Sequence, residues 1–194
     1  MSAAAETLAA RTESLMKKKD RVLIAIDGPC AAGKSTLGEA LRSRLESLGC
    51  SLFHMDDFFL RPFQRTPERL AQPGGNVDRE RFLEEVLKPL ASGQSFSYQK
   101  YSCQRKEMLP VRVTQRRIAV IEGVYSLHPD LRAYYDLKVF LDIDHETQRQ
   151  RLKNRTSPDQ YRRFIDEWIP LEEKYFKDMD IREAADLILG SEES

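Results

Sequence analysis

The clearest chemistry in this 194-residue chain lies in Gly28-Pro29-Cys30-Ala31-Ala32-Gly33-Lys34-Ser35. Two glycines bracket four residues, and a lysine and a hydroxyl follow at once. Backbone N–H groups around such a turn form an anion nest, and a helix opening at its end adds positive potential. The lysine supplies a point charge for β- and γ-phosphates, and the hydroxyl an oxygen for Mg²⁺. The spacing predicts a nucleoside triphosphate site built from Gly28, Pro29, Cys30, Ala31, Ala32, Gly33, Lys34, Ser35 and Thr36. Cys30 reads either as a small residue that fits the loop or as a thiol acidified by the nest.

Two further acidic positions suit phosphoryl chemistry. Asp56 and Asp57 follow the short apolar run Ser51–His54, and Glu122 ends the run Ile118-Ala119-Val120-Ile121. In open α/β sheets, ligands bind beyond the carboxyl ends of the strands, so these acids are expected to face the phosphate loop. Transfer of a phosphoryl group to an alcohol needs a base for the hydroxyl, and an Asp can serve. Asp56 is the favoured base, with Asp57 as an outer contact to metal or substrate; adjacent residues need not point the same way, so the choice between them stays open. Glu122 is expected to hold Mg²⁺ or its waters together with Ser35. Arg151 and Arg155 are four apart and share a helix face, so both can reach one transferring phosphoryl group. Arg149 points elsewhere, and Arg162 and Arg163 read as surface.

These groups need a scaffold, and its elements are legible. Residues 21–27 (RVLIAID), 117–122 (RIAVIE), 137–143 (LKVFLDI) and 185–189 (ADLIL) are short apolar runs of the kind buried on both faces of a parallel sheet. Apolar spacing from Ser35 to Leu48 predicts a helix ended by Gly49. Residues 61–77 carry three prolines and paired glycines and read as loop or lid. Asp78 is expected to cap a helix through Leu90. Residues 95–101 and 108–113 read as a hairpin. Helices are expected at 147–155, 160–168 and 171–176, with Pro170 as the break. Strands alternating with helices predict an α/β fold with a mostly parallel sheet.

Composition narrows the function classes. There are 31 Lys+Arg and 31 Asp+Glu, so the formal net charge is zero, which disfavours a general nucleic-acid binder. No apolar run is long enough to span a membrane. Residues 1–20 read as a helix or tail without a signal-peptide pattern, and 191–194 as an acidic tail. Three unpaired cysteines fit a reducing, cytoplasmic compartment. Basic residues gather at 105–117 and 149–163, and both groups are expected around one polyphosphate. No N-K-x-D guanine signature is present.

The complete phosphate loop, Met55-Asp56-Asp57-Phe58-Phe59, Ile121-Glu122-Gly123-Val124-Tyr125, the strand 136–142 with its arginine helix, and Ala185-Asp186-Leu187-Ile188 together resemble the uridine kinase-like family of P-loop kinases, related to phosphoribulokinase and P-loop pantothenate kinase. The resemblance covers most of residues 21–190 and implies a single P-loop domain. It implies a three-layer sandwich around a five-stranded sheet, a hairpin near 95–113 and an arginine-bearing lid near 145–165. It also implies an ATP- and Mg²⁺-dependent kinase acting on a small-molecule hydroxyl, with a nucleoside as leading acceptor. A sugar phosphate or a pantothenate-like acid is the nearest rival, and a nucleotide-binding regulator that transfers nothing is a third reading. The family's base falls on Asp56, its metal contact on Glu122 and its lid arginines on the 149–155 helix. In the stretch that holds the nucleoside, Tyr98 and Arg105 keep their places, with Tyr101 beside them, while the family's Asp and His are replaced by Gln99 and Cys103. The hairpin could equally be an interface of a homo-oligomer.

Overall fold

The computed structural model describes residues 3–190; the expected acidic tail lies outside the described residues. The alternating strands and helices form an α/β fold. Strands β1 (Val22–Asp27), β2 (Cys50–His54), β5 (Ile118–Glu122), β6 (Leu137–Asp142) and β7 (Leu187–Gly190) make one five-stranded sheet in the order β2-β5-β1-β6-β7. All its pairings are parallel. The hairpin is a separate two-stranded sheet of β3 (Phe96–Ser102) and β4 (Glu107–Val113), paired from Phe96↔Val113 to Ser102↔Glu107.

Both faces of the sheet are covered, which is why its strands are continuous apolar runs rather than alternating ones. Every residue of β1 and β5 is buried. On one face Val22, Ile24 and Ile26 pack with Ile118, Val120 and Val139 beneath two helices, α1 (Ala3–Met16) and α2 (Lys34–Arg44), which contribute Ala5, Leu8, Leu37 and Leu41. On the other, Leu23, Ala25 and Phe53 pack with Phe58, Phe82, Val86 and Tyr175. Each fully buried Leu, Ile or Phe side chain contributes roughly 1.5–3 kcal/mol. The N-terminal segment, read as helix or tail, is a helix whose Ala5, Leu8, Ala9 and Thr12 are buried. No helix among the described residues is long and apolar enough to cross a membrane.

Two helices on the second face run through prolines that would ordinarily break them. Residues 79–92 and 158–178 are each continuous, and in each a π-helical turn, Leu83–Leu87 and Phe164–Trp168, ends two residues before a proline, Pro89 and Pro170. A proline lacks the N–H for an α-helical bond and crowds the carbonyl four residues back; a wider turn removes both conflicts. The expected break at Pro170 is therefore corrected, while the helix expected through Leu90 runs on to Ser92. Asp78 caps the first of these helices as expected, accepting from Arg81 N at 3.2 Å.

The parallel strands put their carboxyl ends, Asp27, His54 and Glu122, along one rim. Asp27 is fully buried there and organises three segments. Its Oδ1 accepts from Gly28 N at 2.7 Å and Tyr125 N at 3.3 Å; its Oδ2 accepts from Leu127 N at 2.8 Å and the Tyr175 hydroxyl at 2.8 Å. One carboxylate thus fixes the start of the phosphate loop, the turn after β5 and the last long helix. Burial pushes this carboxyl up to about 6, against the pull of its donors. Arg116 and Arg117 lie at the opposite rim, before β5, where Arg117 Nε donates to Asp20 O at 3.2 Å. Of the first basic group, Arg116 and Arg117 therefore stand a strand's length from the loop.

Replacing Asp27 by Asn turns one acceptor oxygen into a donor that faces existing donors. Unsatisfied buried donors cost about 1–3 kcal/mol each. The expected outcome for Asp27→Asn is a lower urea midpoint at unchanged m-value, checked by equilibrium denaturation.

Candidate active site

The phosphate loop runs from the end of β1 into α2. Gly28 (φ +139°) has a position where a Cβ would stand 2.2 Å from Leu141 O, so only glycine lets the loop leave the sheet here. Gly33 (φ +97°) and, less usually, Ala31 (φ 62°) also take left-handed conformations and complete the turn. Lys34 is 7% exposed, and its Nζ donates to the carbonyls of Gly28 and Pro29, each at 2.8 Å. Its cation is thereby held against the mouth of the loop.

Ser35 and Thr36, the first turn of α2, open onto a cavity of about 640 Å³. Ser35 Oγ donates to Glu122 Oε1 at 3.1 Å. Glu122 is 4% exposed, and its Oε1 also meets His54 Nδ1 at 2.5 Å. That bond raises the His54 pKa above its ordinary value, against the effect of burial. Asp56 lines the same cavity. It is open to the cavity, yet protein surrounds most of it; burial first, then the Glu122 carboxylate, raise its pKa, while Lys34 lowers it. A hydroxyl and a carboxylate converging beside a cation-bearing loop suit a hard divalent ion that keeps waters and shares phosphate oxygens, so the residues present fit Mg²⁺ bound with a nucleotide. No group of three or more His, Cys, Asp or Glu among the described residues could hold a metal on its own.

The expected arginines divide. Arg155, on the helix His145–Arg155, lines the cavity and lies 5.9 Å from the Phe164 ring centroid. Arg151 instead donates to Ala31 O at 3.3 Å, gripping the loop from behind. Arg163, read as surface, lines the cavity, stacks on Trp168 at 4.7 Å and pairs with Glu167 at 3.2 Å. Cys30 is buried; burial, then the neighbouring Glu172 carboxylate, push its thiol up to about 12, so the nest does not acidify it.

The expected substrate contacts are not gathered at the cavity. Tyr98 is buried under Phe58, with ring centroids 5.4 Å apart, and its hydroxyl donates to Asp57 Oδ2 at 3.2 Å. Tyr101 is buried in the hairpin, and Arg105 is exposed and pairs with Glu107 at 3.4 Å. The hairpin offers the cavity Cys103. Phe59, Arg65, Asn76 and Trp168 also line the cavity, and the sequence reading gave none of them a role in the site. Arg65 and Asn76 sit in the proline-rich segment, where no periodicity singles out a residue. Glu172 and His54 were equally missed; a polar residue on a helix or at a strand end looks the same in sequence whether it faces solvent or a site.

A fission yeast (Schizosaccharomyces pombe) tRNA-specific adenosine deaminase subunit, tad2, is 29% identical over 182 residues, covering 89% of this chain and 44% of its own. Uridine-cytidine kinase B of Dictyostelium discoideum is 27% identical over 141 residues, covering 69% and 57%. The chain thus spans about half the length of these relatives. A protein described as a possible uridine kinase from Bacillus stearothermophilus shares the fold, with TM-score 0.73 at 21% identity over 96% of this chain and 97% of that one. Residues 23–163 match the profile of one family, and the match takes in the loop, the acidic turn, Glu122 and the arginine helix: the chain belongs to the Phosphoribulokinase / Uridine kinase family.

Proposed function

We propose that this chain transfers the terminal phosphoryl group of ATP, with Mg²⁺, to a hydroxyl of a small metabolite. One observation carries the reading: Lys34 and Ser35 of the phosphate loop and Asp56 and Glu122 from two neighbouring strand ends open onto a single cavity. The loop amides and Lys34 bind the phosphates. Ser35 and Glu122 hold Mg²⁺, which neutralises charge on the phosphate oxygens when bound. Asp56 accepts the proton of the acceptor hydroxyl as its oxygen bonds to the γ-phosphorus and the bond to the ADP oxygen breaks. Arg155 meets the charge on the transferred group, and Arg151 fixes the loop behind it. Phe164 and Trp168 wall the cavity and exclude water.

Two acceptor classes fit. A nucleoside follows from the resemblance and from the likeness to a uridine-cytidine kinase, with Phe59 and Trp168 as aromatic surfaces for a base. A second reading rests on Arg65 and Arg163, which face the cavity beyond Asp56 and share Glu167, at 3.8 Å and 3.2 Å. Arg65 also donates to Asn76 Oδ1 at 3.0 Å, which aims its guanidinium. Two guanidiniums on one carboxylate leave positive charge for an anionic acceptor such as a hydroxy acid or sugar phosphate.

Lys34→Ala and Asp56→Asn are each expected to lower ATP-dependent transfer by about 100-fold or more. Asp56→Asn should still bind ATP by calorimetry; full activity or lost binding in that variant would remove Asp56 as base. Coupled ADP-release assays on uridine, cytidine, and alcohols paired with their phosphorylated or carboxylated forms decide the acceptor. The nucleoside reading expects uridine or cytidine to be turned over. The anionic reading expects the charged member of each pair to lead by about tenfold, and Arg65→Gln to erase that lead.

A further inference from the structure

The tip of the phosphate loop is held by the two helices that wall the cavity. Cys30 N donates to Glu172 Oε2 at 2.8 Å, and Cys30 O accepts from Gln148 Nε2 at 3.0 Å. Both polar groups of one residue's backbone are thus taken by side chains, from helix His145–Arg155 and from the 158–178 helix. Gln148 is 3% exposed and Glu172 6%. Around them Cys30, Ala31 and Leu152 form a small core joined by Tyr161, Phe164 and Ile169. Buried polar groups are costly unless satisfied, so a carboxylate and an amide spent on one loop peptide are a specific arrangement rather than filler. Burial pushes the Glu172 carboxyl up to about 7, opposed by Lys34 and by the Cys30 N–H.

The same two helices carry the far wall. Arg155 lies at the end of the first; Arg163, Phe164 and Trp168 stand one to three turns before Glu172 on the second, and all line the cavity. Tyr175, three residues after Glu172, anchors that helix on Asp27. Any shift of the Cys30 peptide must therefore move this wall or break the contacts that join them, because packed helices move as units.

We propose that Glu172 and Gln148 are positioning residues that tie the acceptor wall to the phosphate loop, so that a nucleotide seated in the loop resets Trp168 and its neighbours. The proposal rests on the nucleotide-binding reading above. Trp168 is the chain's single tryptophan, so its emission reports that wall alone. The test titrates the full chain with Mg²⁺·ADP, following binding by calorimetry and Trp168 by fluorescence. In the wild-type chain, saturating ADP is expected to change Trp168 emission. At ADP concentrations that saturate each variant, Glu172→Ala and Gln148→Leu should lose more than half of that amplitude. Glu172→Gln keeps an acceptor oxygen for Cys30 N and should retain it. A merely structural role would lower the melting temperature without uncoupling the signal from bound ADP. Binding with no wild-type response, or an undiminished response in a folded Ala or Leu variant, overturns the proposal. If Glu172→Ala does not fold, Gln148→Leu and Glu172→Gln decide it by the same amplitudes; a Glu172→Gln response lost at full ADP occupancy also overturns it. If calorimetry detects no ADP binding to the wild-type chain, the nucleotide-binding reading fails, and this proposal with it.

Discussion

The structure depends on one buried carboxylate. Asp27 ends the central strand, and its four accepted hydrogen bonds come from the loop that follows it, from the turn after β5 and from the last long helix. The last two of these segments lie about 100 and 150 residues from Asp27 in sequence, as the Leu127 and Tyr175 bonds show. A loop that must present its backbone amides to an anion cannot spend them on itself, so its foot needs an external anchor. Asp27 is that anchor, and the absence of solvent around it keeps the donors from exchanging it for water.

Charge in the site follows a division of labour. The loop and Lys34 offer positive potential along one wall, and Glu122, Asp56 and Ser35 offer oxygens along the next. Lys34 lowers the pKa of Asp27, Asp56 and Glu172, so one cation tempers three carboxylates that burial would otherwise push further up. His54 fixes Glu122 from the solvent side, as Ser35 does from the helix. The third wall belongs to the helical segments 145–178, whose arginines split between gripping the loop and facing the cavity.

The zero net charge of the chain is an average over these segregated parts, and the fold separates them further than their order suggests. Arg116 and Arg117 precede β5, while Glu122 ends it, so a five-residue strand puts the two at opposite rims of the sheet. Parallel strands make this a general consequence: whatever starts a strand stands a strand's length from whatever ends it.

Much was legible in the residues themselves because local physics constrained it. The phosphate loop announces itself through glycines, a lysine and a hydroxyl at fixed spacing; the strands announce themselves as unbroken apolar runs; Asp78 caps its helix as local sequence requires. The order of the elements likewise brings Asp56 and Glu122 to the rim of the loop. What sequence could not assign were side chains whose partners are distant. Tyr98 and Asp57 bond to each other across 41 residues instead of facing the cavity. Arg163 and Trp168 reach it from the helix that carries Glu172, and Arg65 from the proline-rich segment that the Phe59–Val77 bridge closes. Glu172 meets Cys30 across 142 residues. Backbone conformation is decided by neighbours along the chain, and the sequence determined it; which polar side chain faces the cavity is decided by neighbours in space, and only the packed tertiary structure supplied them.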